Sequence, residues 1–511
     1  MGIVESVETT NGHRQLRVKS PVTRKPIGEF TCASTEDVNA AVARARKAQE
    51  GWGRLSFDER AAYMWRLLDH FVNHQDEIID AVIAETGKPR PEAIAMEVYA
   101  PCDAICYYAK RAKKFLKPEK RRIHGPLGLM KKLRVVYKPL GVVGLITPWN
   151  GPIALAVNPT VQALMAGNAV VHKPSEVTPF STLVFKKFTE AAGFPDDLYQ
   201  VVQGDGATGA ALIDSGVDKV SFTGSVATGR RVAEECGKRL IPCSLELGGK
   251  DAMIVCEDAD LQRAADGALF GSCMNSGHFC CGTERIYVVE SVYERFVEKV
   301  VEGARELRQS DEGECDVGPI FWDKQLDIIE AHVEDARSRG AKVLVGGRRN
   351  PDLEGLYYEP TVVTDVTQDM DLMRKETFGP IISIMKVKDE EDAIRHANDS
   401  DYGLNGNVWT VDQEKGFRIA ERIDTGGVCV NDMAITYGVP EAPFGGRKDS
   451  GVGQINGKTG IRGYCHAQPI TADRRGKGKI QGGFPYTTKA GNDMQKFIKI
   501  LWGSRIGRLF G

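Results

Sequence analysis

The sequence predicts an α/β protein with a doubly wound parallel sheet, and three observations carry that reading. Between Lys138 and Gly249, short apolar runs alternate with stretches of helical length, the pattern of successive β-α-β units. A second series of the same kind begins near Asp251. The chain has 511 residues, too many for one core, so the two series predict separate domains.

The elements follow in order. "STEDVNAAVARARKAQEGW" opens on a Ser34/Thr35 cap with acids in its first turn and apolar residues at helical spacing. "FDERAAYMWRLLDHFVNHQDEIIDAVIAETGK" continues the pattern to Gly87, and residues 35–116 read as helical. Next come a strand in "GVVGLITP", a helix over 153–166, a strand in "NAVVHKP" and a helix over 179–192. "LYQVVQGD", a helix over 206–215, "VDKVSFTG", a helix over 226–238 and "PCSLELGG" complete the first series. Sheets of this kind bind nucleotides at the carboxyl ends of their strands. In the second series "DAMIVCE", "ERIYVVE", "AKVLVGG", "IISIMKV", "NVWTV" and "GGVCVN" read as strands, with helices over 291–308 and 323–339. The Gly-rich "PFGGRKDSGVGQINGKTGIRGY" reads as a structured loop.

The tail differs in charge. From Arg474 onward there are nine Lys/Arg against one acid, Asp493, a net of +8, which leaves −10 on the rest of the chain. "NDMQKFIKILWGSRIGRLFG" groups Phe497, Ile500, Leu501 and Trp502, with Lys496, Lys499, Arg505 and Arg508 around them. This is the pattern of a basic amphipathic helix.

Composition narrows the function classes. A hydrophobic share of 42% and a charged share of 27% describe an ordinary globular protein, and a net charge of −2 gives no reason to expect nucleic acid. No run of eighteen apolar residues predicts a membrane span, and the start lacks the apolar core of a secretory signal. A cytoplasmic protein is expected. The twelve cysteines show neither framework spacing nor a CxxC pair, which predicts reduced thiols. Without HExxH spacing among nine histidines, no metal site is expected.

Several strand ends carry reactive side chains. In "NSGHFCCGTERIYVV", Cys280 follows Gly277 and His278 and enters a strand, where backbone N–H groups can face a thiolate. A buried structural thiol is the alternative. Glu246 ends a strand against glycines in "LELGGK"; it suits a general base if its pKa is raised, or is a solvated strand-end carboxylate. Asn150, in "ITPWNGP", is an amide donor just before a helix and suits an oxyanion. Lys173 and Glu176 follow a strand in "HKPSE", where a ribose can be read. Gly224, Ser225 and Gly229, in "FTGSVATG", open a helix that can seat a phosphate.

Taken together, "PWN", "KPSE", "FTGS", "LELGGK", "NSGHFC", "ETFGP" and "PFGGRKDSG" resemble, in content and order, the motifs of the aldehyde dehydrogenase superfamily, from about Asp37 to Tyr464. The resemblance implies a Cys280 nucleophile, a Glu246 general base, and an oxyanion hole from Asn150 and the Cys280 backbone N–H. Lys173 and Glu176 would hold the adenosine ribose, and Ser225 with its helix the pyrophosphate. Glu376 and Phe378 would position the nicotinamide ribose and ring, with Trp149, Gly224 and Gly229 also assigned to the cofactor. Thiolate addition gives a thiohemiacetal, oxidation a thioester, and water activated by Glu246 a free acid. A CoA-acylating relative usually lacks the base at Glu246. The carboxylate of Glu176 favours NAD over NADP, with NADP as the alternative.

The resemblance also implies three parts. These are a nucleotide-binding domain over 1–120 and 141–247, a catalytic domain over 248–445, and an oligomerisation hairpin from 121–140 and 458–473. Residues 474–511 form the basic tail. Self-association as a dimer or tetramer is expected, because the hairpin leaves a sheet edge to cover. The tail is expected to touch a membrane surface, gate the substrate tunnel or pack on a neighbour. Departures bear on substrate. His278 stands where the family usually has Gln, and is expected to be a neutral replacement. Members that take succinic semialdehyde usually carry an arginine near the nucleophile loop, and "SCMNSGHF" has none. "MAITYGV" and Phe279 are mostly apolar, which predicts a pocket for an aliphatic or aromatic aldehyde. A semialdehyde- or hydroxybenzaldehyde-specific enzyme and a non-catalytic homologue are the alternatives.

Overall fold

The computed structural model describes residues 2–10, 13–478, 480 and 483–510. Two largely parallel sheets organise the molecule. The first contains, in spatial order, Gly451–Val452, Cys243–Glu246, Lys219–Thr223, Val142–Ile146, Ala169–Lys173 and Tyr199–Val201. Only its first pairing is antiparallel. Every residue of Val142–Ile146 and Ala169–Lys173 is buried; with helices on both faces, such strands read as continuous apolar runs. The chain builds outward from Val142–Ile146 in one direction, then returns to add Lys219–Thr223 on its other side. That reversal opens a crevice past the carboxyl ends of these two strands. Trp149 and Asn150 follow one of them, and Gly224 and Ser225 follow the other.

The second sheet runs Lys342–Val345, Thr361–Thr364, Ile381–Val387, Thr283–Val289, Asp251–Val255, Gly406–Trp409 and Cys429–Val430. Its outermost pair, Lys342–Val345 with Thr361–Thr364, is antiparallel. Thr361–Thr364, in "PTVVT", is a strand that the sequence reading left out; at four residues it is too short to show periodicity.

The helical stretch divides into Thr35–Trp52, Phe57–Asn73, Gln75–Thr86 and Ala100–Leu116, with a π-helical turn at Ala95–Tyr99. Reciprocal capping boxes start the first two: Ser34 with Asp37, and Ser56 with Glu59. Trp52 is fully buried and donates its indole N–H to the Leu164 carbonyl at 2.8 Å, tying these helices to Ala154–Ala166.

Two expected boundaries shift. Near the N-terminus, Val4–Thr10, His13–Lys19 and Pro26–Thr31 form an antiparallel meander. Its Ile3, Leu16, Val18 and Phe30 join the core around Ile254, Ile320 and Leu326, and Arg24 pairs with Asp323 at 2.7 Å. This segment therefore joins the core of the second sheet, while the Arg14–Asp205 ion pair and the Phe30–Phe180 ring contact also tie it to the unit assigned from 1–120 and 141–247. The expected hairpin is a three-stranded antiparallel sheet of Glu119–Arg121, Lys131–Pro139 and Cys465–Asp473; Gly457–Arg462, expected within it, is a helix. Beyond it, the tail folds into helices Thr488–Gly503 and Arg505–Phe510. Among the described residues no helix is long and apolar enough to cross a membrane.

Candidate active site

Cys280 is aimed by a turn that few sequences can make. Asn275, Ser276 and Gly277 all have positive φ (55°, 56° and 76°), which costs non-glycine residues energy and persists only where surroundings enforce it. At Gly277 a Cβ would sit 2.1 Å from the Gly379 backbone, so no larger residue fits. Asn275 enforces the turn. Its Nδ2 donates to the carbonyls of Asn150 (2.9 Å) and His278 (2.8 Å), and its backbone N–H donates to Glu92 (2.9 Å). The Asn150 Nδ2 also donates to the His278 carbonyl, at 3.0 Å. One N–H of that amide is thereby fixed, which orients the other.

A fully buried ion pair stands behind this amide. Lys88 Nζ lies 2.5 Å from Glu97 and donates to the Asn150 carbonyl at 3.3 Å. The other Glu97 oxygen accepts from the N–H groups of Ile153 (3.0 Å) and Ala154 (2.9 Å), at the start of the helix that follows Asn150. Both sides of Asn150 are thus held by one pair. Removing one partner of a buried pair costs about 3–5 kcal/mol, because the other charge is left uncompensated. Glu97→Gln is expected to lower the denaturant midpoint accordingly and to reduce kcat more than it raises KM; unchanged unfolding would exclude this role for the pair.

Two adjacent thiols behave differently. Cys280 is half-buried, whereas Cys281 is buried with its Sγ 3.6 Å from the Ala434 carbonyl. The neighbouring Cys281 side chain holds the Cys280 pKa below its usual value against the opposing effect of burial, and the backbone N–H groups of both residues assist. Cys281 is held well above the usual range by the same interaction and by burial. Cys281 is therefore more than a bystander to the thiolate. His278 is fully buried against Trp149, Phe321 and Phe378. Burial, aided by the Lys88 cation, keeps its pKa well below the usual value, so the ring is neutral.

Glu246 ends its strand buried, and neither carboxylate oxygen has a hydrogen-bond partner among the described residues. Burial, and behind it the Cys280 thiolate, push its pKa well above the usual carboxyl value. Glu376 accepts from the Gly249 N–H at 2.9 Å, and burial with the nearby Glu284 raises it to about 8. Glu284 accepts from the N–H groups of Thr377 (2.8 Å) and Phe378 (2.9 Å) and pairs with the buried Lys250. It fixes the loop that carries Glu376 and Phe378. Sequence reasoning missed Glu284; the signal was a carboxylate in an otherwise mostly apolar strand.

Three cavities meet these side chains. An apolar one of about 330 Å³ is lined by Met96, Tyr99, Leu155, Phe270, Phe279 and Ile435, and reaches Asn150 and Cys280. A second, of about 260 Å³, contains Asn150 and Cys280 again, with Trp149, Glu246, Glu376 and Phe378. It shares Trp149, Gly224, Ser225 and Trp322 with a third, of about 530 Å³, that extends to Lys173 and Glu176. Lys173 and Glu176 stand 3.4 Å apart. Of the cofactor residues expected from the sequence, Gly229 alone is not at these cavity walls. It lines neither cavity, and a Cβ there would lie 2.4 Å from Leu247, so a glycine is needed for its helix to pack against the strand loop. Trp322, Arg231, Met96 and Tyr99 were not anticipated. Met96 and Tyr99 face the apolar cavity from the π-helical turn, a feature without a sequence signature.

The sequence profile described as the aldehyde dehydrogenase family matches residues 7–470. The chain belongs to this family. Its parallel sheets are those of solved aldehyde dehydrogenases. The Mycobacterium tuberculosis aldehyde dehydrogenase complexed with NAD+ superposes with a TM-score of 0.86 at 35% identity, over 91% of this chain and 95% of that one. Betaine aldehyde dehydrogenase of Staphylococcus aureus in complex with NAD+ gives 0.87 at 30%, over 94% and 96%. In sequence, this aldehyde dehydrogenase is 40% identical over 472 residues to a Mycolicibacterium smegmatis protein provisionally named succinate-semialdehyde dehydrogenase (NADP+), covering 92% of this chain and 91% of the relative. It is 36% identical over 486 residues to 4,4'-diapolycopene aldehyde oxidase of Methylomonas sp, covering 95% and 91%.

Proposed function

We propose that this enzyme oxidises an apolar aldehyde to its carboxylic acid through a thioester on Cys280, with NAD as the preferred acceptor. One observation carries the reading: Cys280 and Asn150 line both the apolar cavity and the cavity that holds Glu246. An aldehyde on the apolar side meets the thiol where the other side leads to the nucleotide crevice.

The roles follow from the geometry. The Cys280 thiolate, favoured by the neighbouring Cys281 and by backbone N–H groups, adds to the carbonyl carbon. The developing alkoxide takes the second N–H of the Asn150 amide, and the Cys280 N–H supplies another donor; one such donor is typically worth about 3 kcal/mol of barrier. The adjoining cavities that run from Lys173 and Glu176 to Phe378 have a lining that suits a dinucleotide. When bound there, the nicotinamide supplies the two-electron acceptor that turns the thiohemiacetal into a thioester. Glu246, ionised, takes the proton of the water that attacks the thioester, and Cys280 leaves as thiolate. Glu176 would accept from a ribose 2′-hydroxyl and repel a 2′-phosphate, which supports NAD; Arg231, lining the same cleft, supports residual use of NADP. In this reading the first sheet serves the nucleotide and the second the chemistry.

The apolar cavity bears on the semialdehyde alternative. Apart from the Cys280 thiolate, none of its lining residues carries a charge, and a second carboxylate would be desolvated there without a partner. We expect kcat/KM for a medium-chain aldehyde to exceed that for succinic semialdehyde by on the order of 100-fold, about 2.7 kcal/mol. An aldehyde panel assayed with NAD and NADP separately measures this. Ile435→Arg should narrow the ratio; a wild-type preference for the semialdehyde would overturn the apolar assignment.

The nine-residue strand Cys465–Asp473 lies at the edge of its sheet, with its pairing partner Lys131–Pro139 on one side only. We propose that this edge pairs subunits. Light scattering should give the mass of a dimer or tetramer, and a monomer at micromolar concentration would refute it.

A further inference from the structure

The C-terminal helix is amphipathic in a way that the catalytic reading leaves unused. In Thr488–Gly503, Met494, Phe497, Ile498 and Leu501 follow i, i+3, i+4, i+7 spacing, with Trp502 beside them. Lys489, Lys496 and Lys499 fall on the opposite arc. Leu501 is covered, but Met494, Phe497, Ile498 and Trp502 are 56%, 44%, 45% and 50% exposed. The helix's packing partner is the short helix after it, and the pair is closed by its own polar bonds. Thr487 caps Ala490 at 3.1 Å, and Arg508 Nε donates to the Trp502 carbonyl at 2.9 Å. A sixteen-residue helix with so little tertiary packing is marginal in water; something must cover its apolar face.

We propose that this face docks on an anionic lipid surface, with the helix lying in the plane of the headgroups. Charge selects the occupant. The segment from Arg474 carries +8 while the rest of the chain carries −10, so a negative surface attracts this end and repels the remainder. Lysines opposite an aromatic and aliphatic stripe are the pattern of an interfacial helix, and their stems can reach phosphates past the helix edge. The aromatic side chains of Phe484 and Tyr486, 84% and 75% exposed, extend the same end. The site supports the same partner: Tyr99, Phe270 and Ile435 of the apolar cavity are 68%, 55% and 50% exposed. An apolar aldehyde partitions into lipid, so a lipid-docked enzyme meets it at high local concentration. That last step rests on the apolar-aldehyde reading; the docking itself does not.

The test uses the full chain and extruded vesicles of phosphatidylcholine with phosphatidylglycerol, against phosphatidylcholine alone. The wild type should cosediment with the anionic vesicles and largely lose this at high salt. The Phe497→Asp/Ile498→Asp variant should lose it by about tenfold, while keeping its oligomeric mass and its turnover of a short soluble aldehyde. Lys496→Glu/Lys499→Glu should lose only the preference for anionic lipid. Failure of the wild type to cosediment, undiminished binding by the Asp variant, or a changed oligomeric mass in that variant would overturn the proposal; the last would make the face a subunit contact. Vesicle binding together with a preference for charged aldehydes would retain the docking and discard the substrate reading.

Discussion

Replacing Cys280 with alanine abolishes NADH production, by at least ~10⁴-fold in kcat on the scale of other nucleophile deletions. The fold is retained, because Cys280 is half-buried at a cavity wall and contributes little core. The neighbour gives the control. Cys281→Ala keeps turnover but removes the neighbouring side chain that favours the Cys280 thiolate. The pH profile of Cys280 alkylation by iodoacetamide should therefore move to higher pH. The reverse pattern, activity surviving Cys280→Ala and lost in Cys281→Ala, would exchange the two roles.

The second large effect concerns Glu246. In Glu246→Gln the thioester still forms but water is no longer activated, so steady-state kcat falls by about 10²–10⁴. A pre-steady-state burst of about one NADH per site should survive, since acylation uses Cys280 and Asn150. A vanished burst would move Glu246 into the first half of the reaction. Its pKa is raised because burial penalises the carboxylate. The group is therefore protonated below the raised value and becomes a base only as pH climbs through it. Turnover should rise with pH on this limb and fall as pH drops, and Glu246→Gln should flatten that dependence in the deacylation rate.

How legible the site was depended on how local each determinant is. Cys280, Glu246 and Asn150 stand at strand ends beside glycines or a helix start, and such positions announce themselves in sequence. The alternating β-α-β run likewise marked the five parallel strands of the first sheet in order, while the edge strand Gly451–Val452 was read as loop. What sequence reasoning missed acts across long separations. Lys88 and Glu97 reach Asn150 from residues read only as helix, and Glu284 holds Phe378 from 94 positions away. The packing of the N-terminal meander on the second sheet's core was not legible because Asp323, which pairs with Arg24, lies 299 positions away. Gly229 shows a related ambiguity: a glycine at a helix start signals a phosphate or a close contact equally well, and the close approach of the Leu247 side chain could not be read from the sequence. The apolar cavity was half visible, in Phe279 and "MAITYGV", while Met96, Tyr99 and Phe270 arrive from helices whose surface positions look ordinary.

The central claim is a covalent acyl group on one sulfur at the junction of the two cavities. Mass spectrometry of acid-quenched Glu246→Gln enzyme, mixed with NAD and a medium-chain aldehyde, tests it most directly. The mass of one acyl group per chain, located on the peptide containing Cys280, is the predicted result. An NADH burst with no acyl mass on that peptide, or with the acyl group on another cysteine, would contradict it.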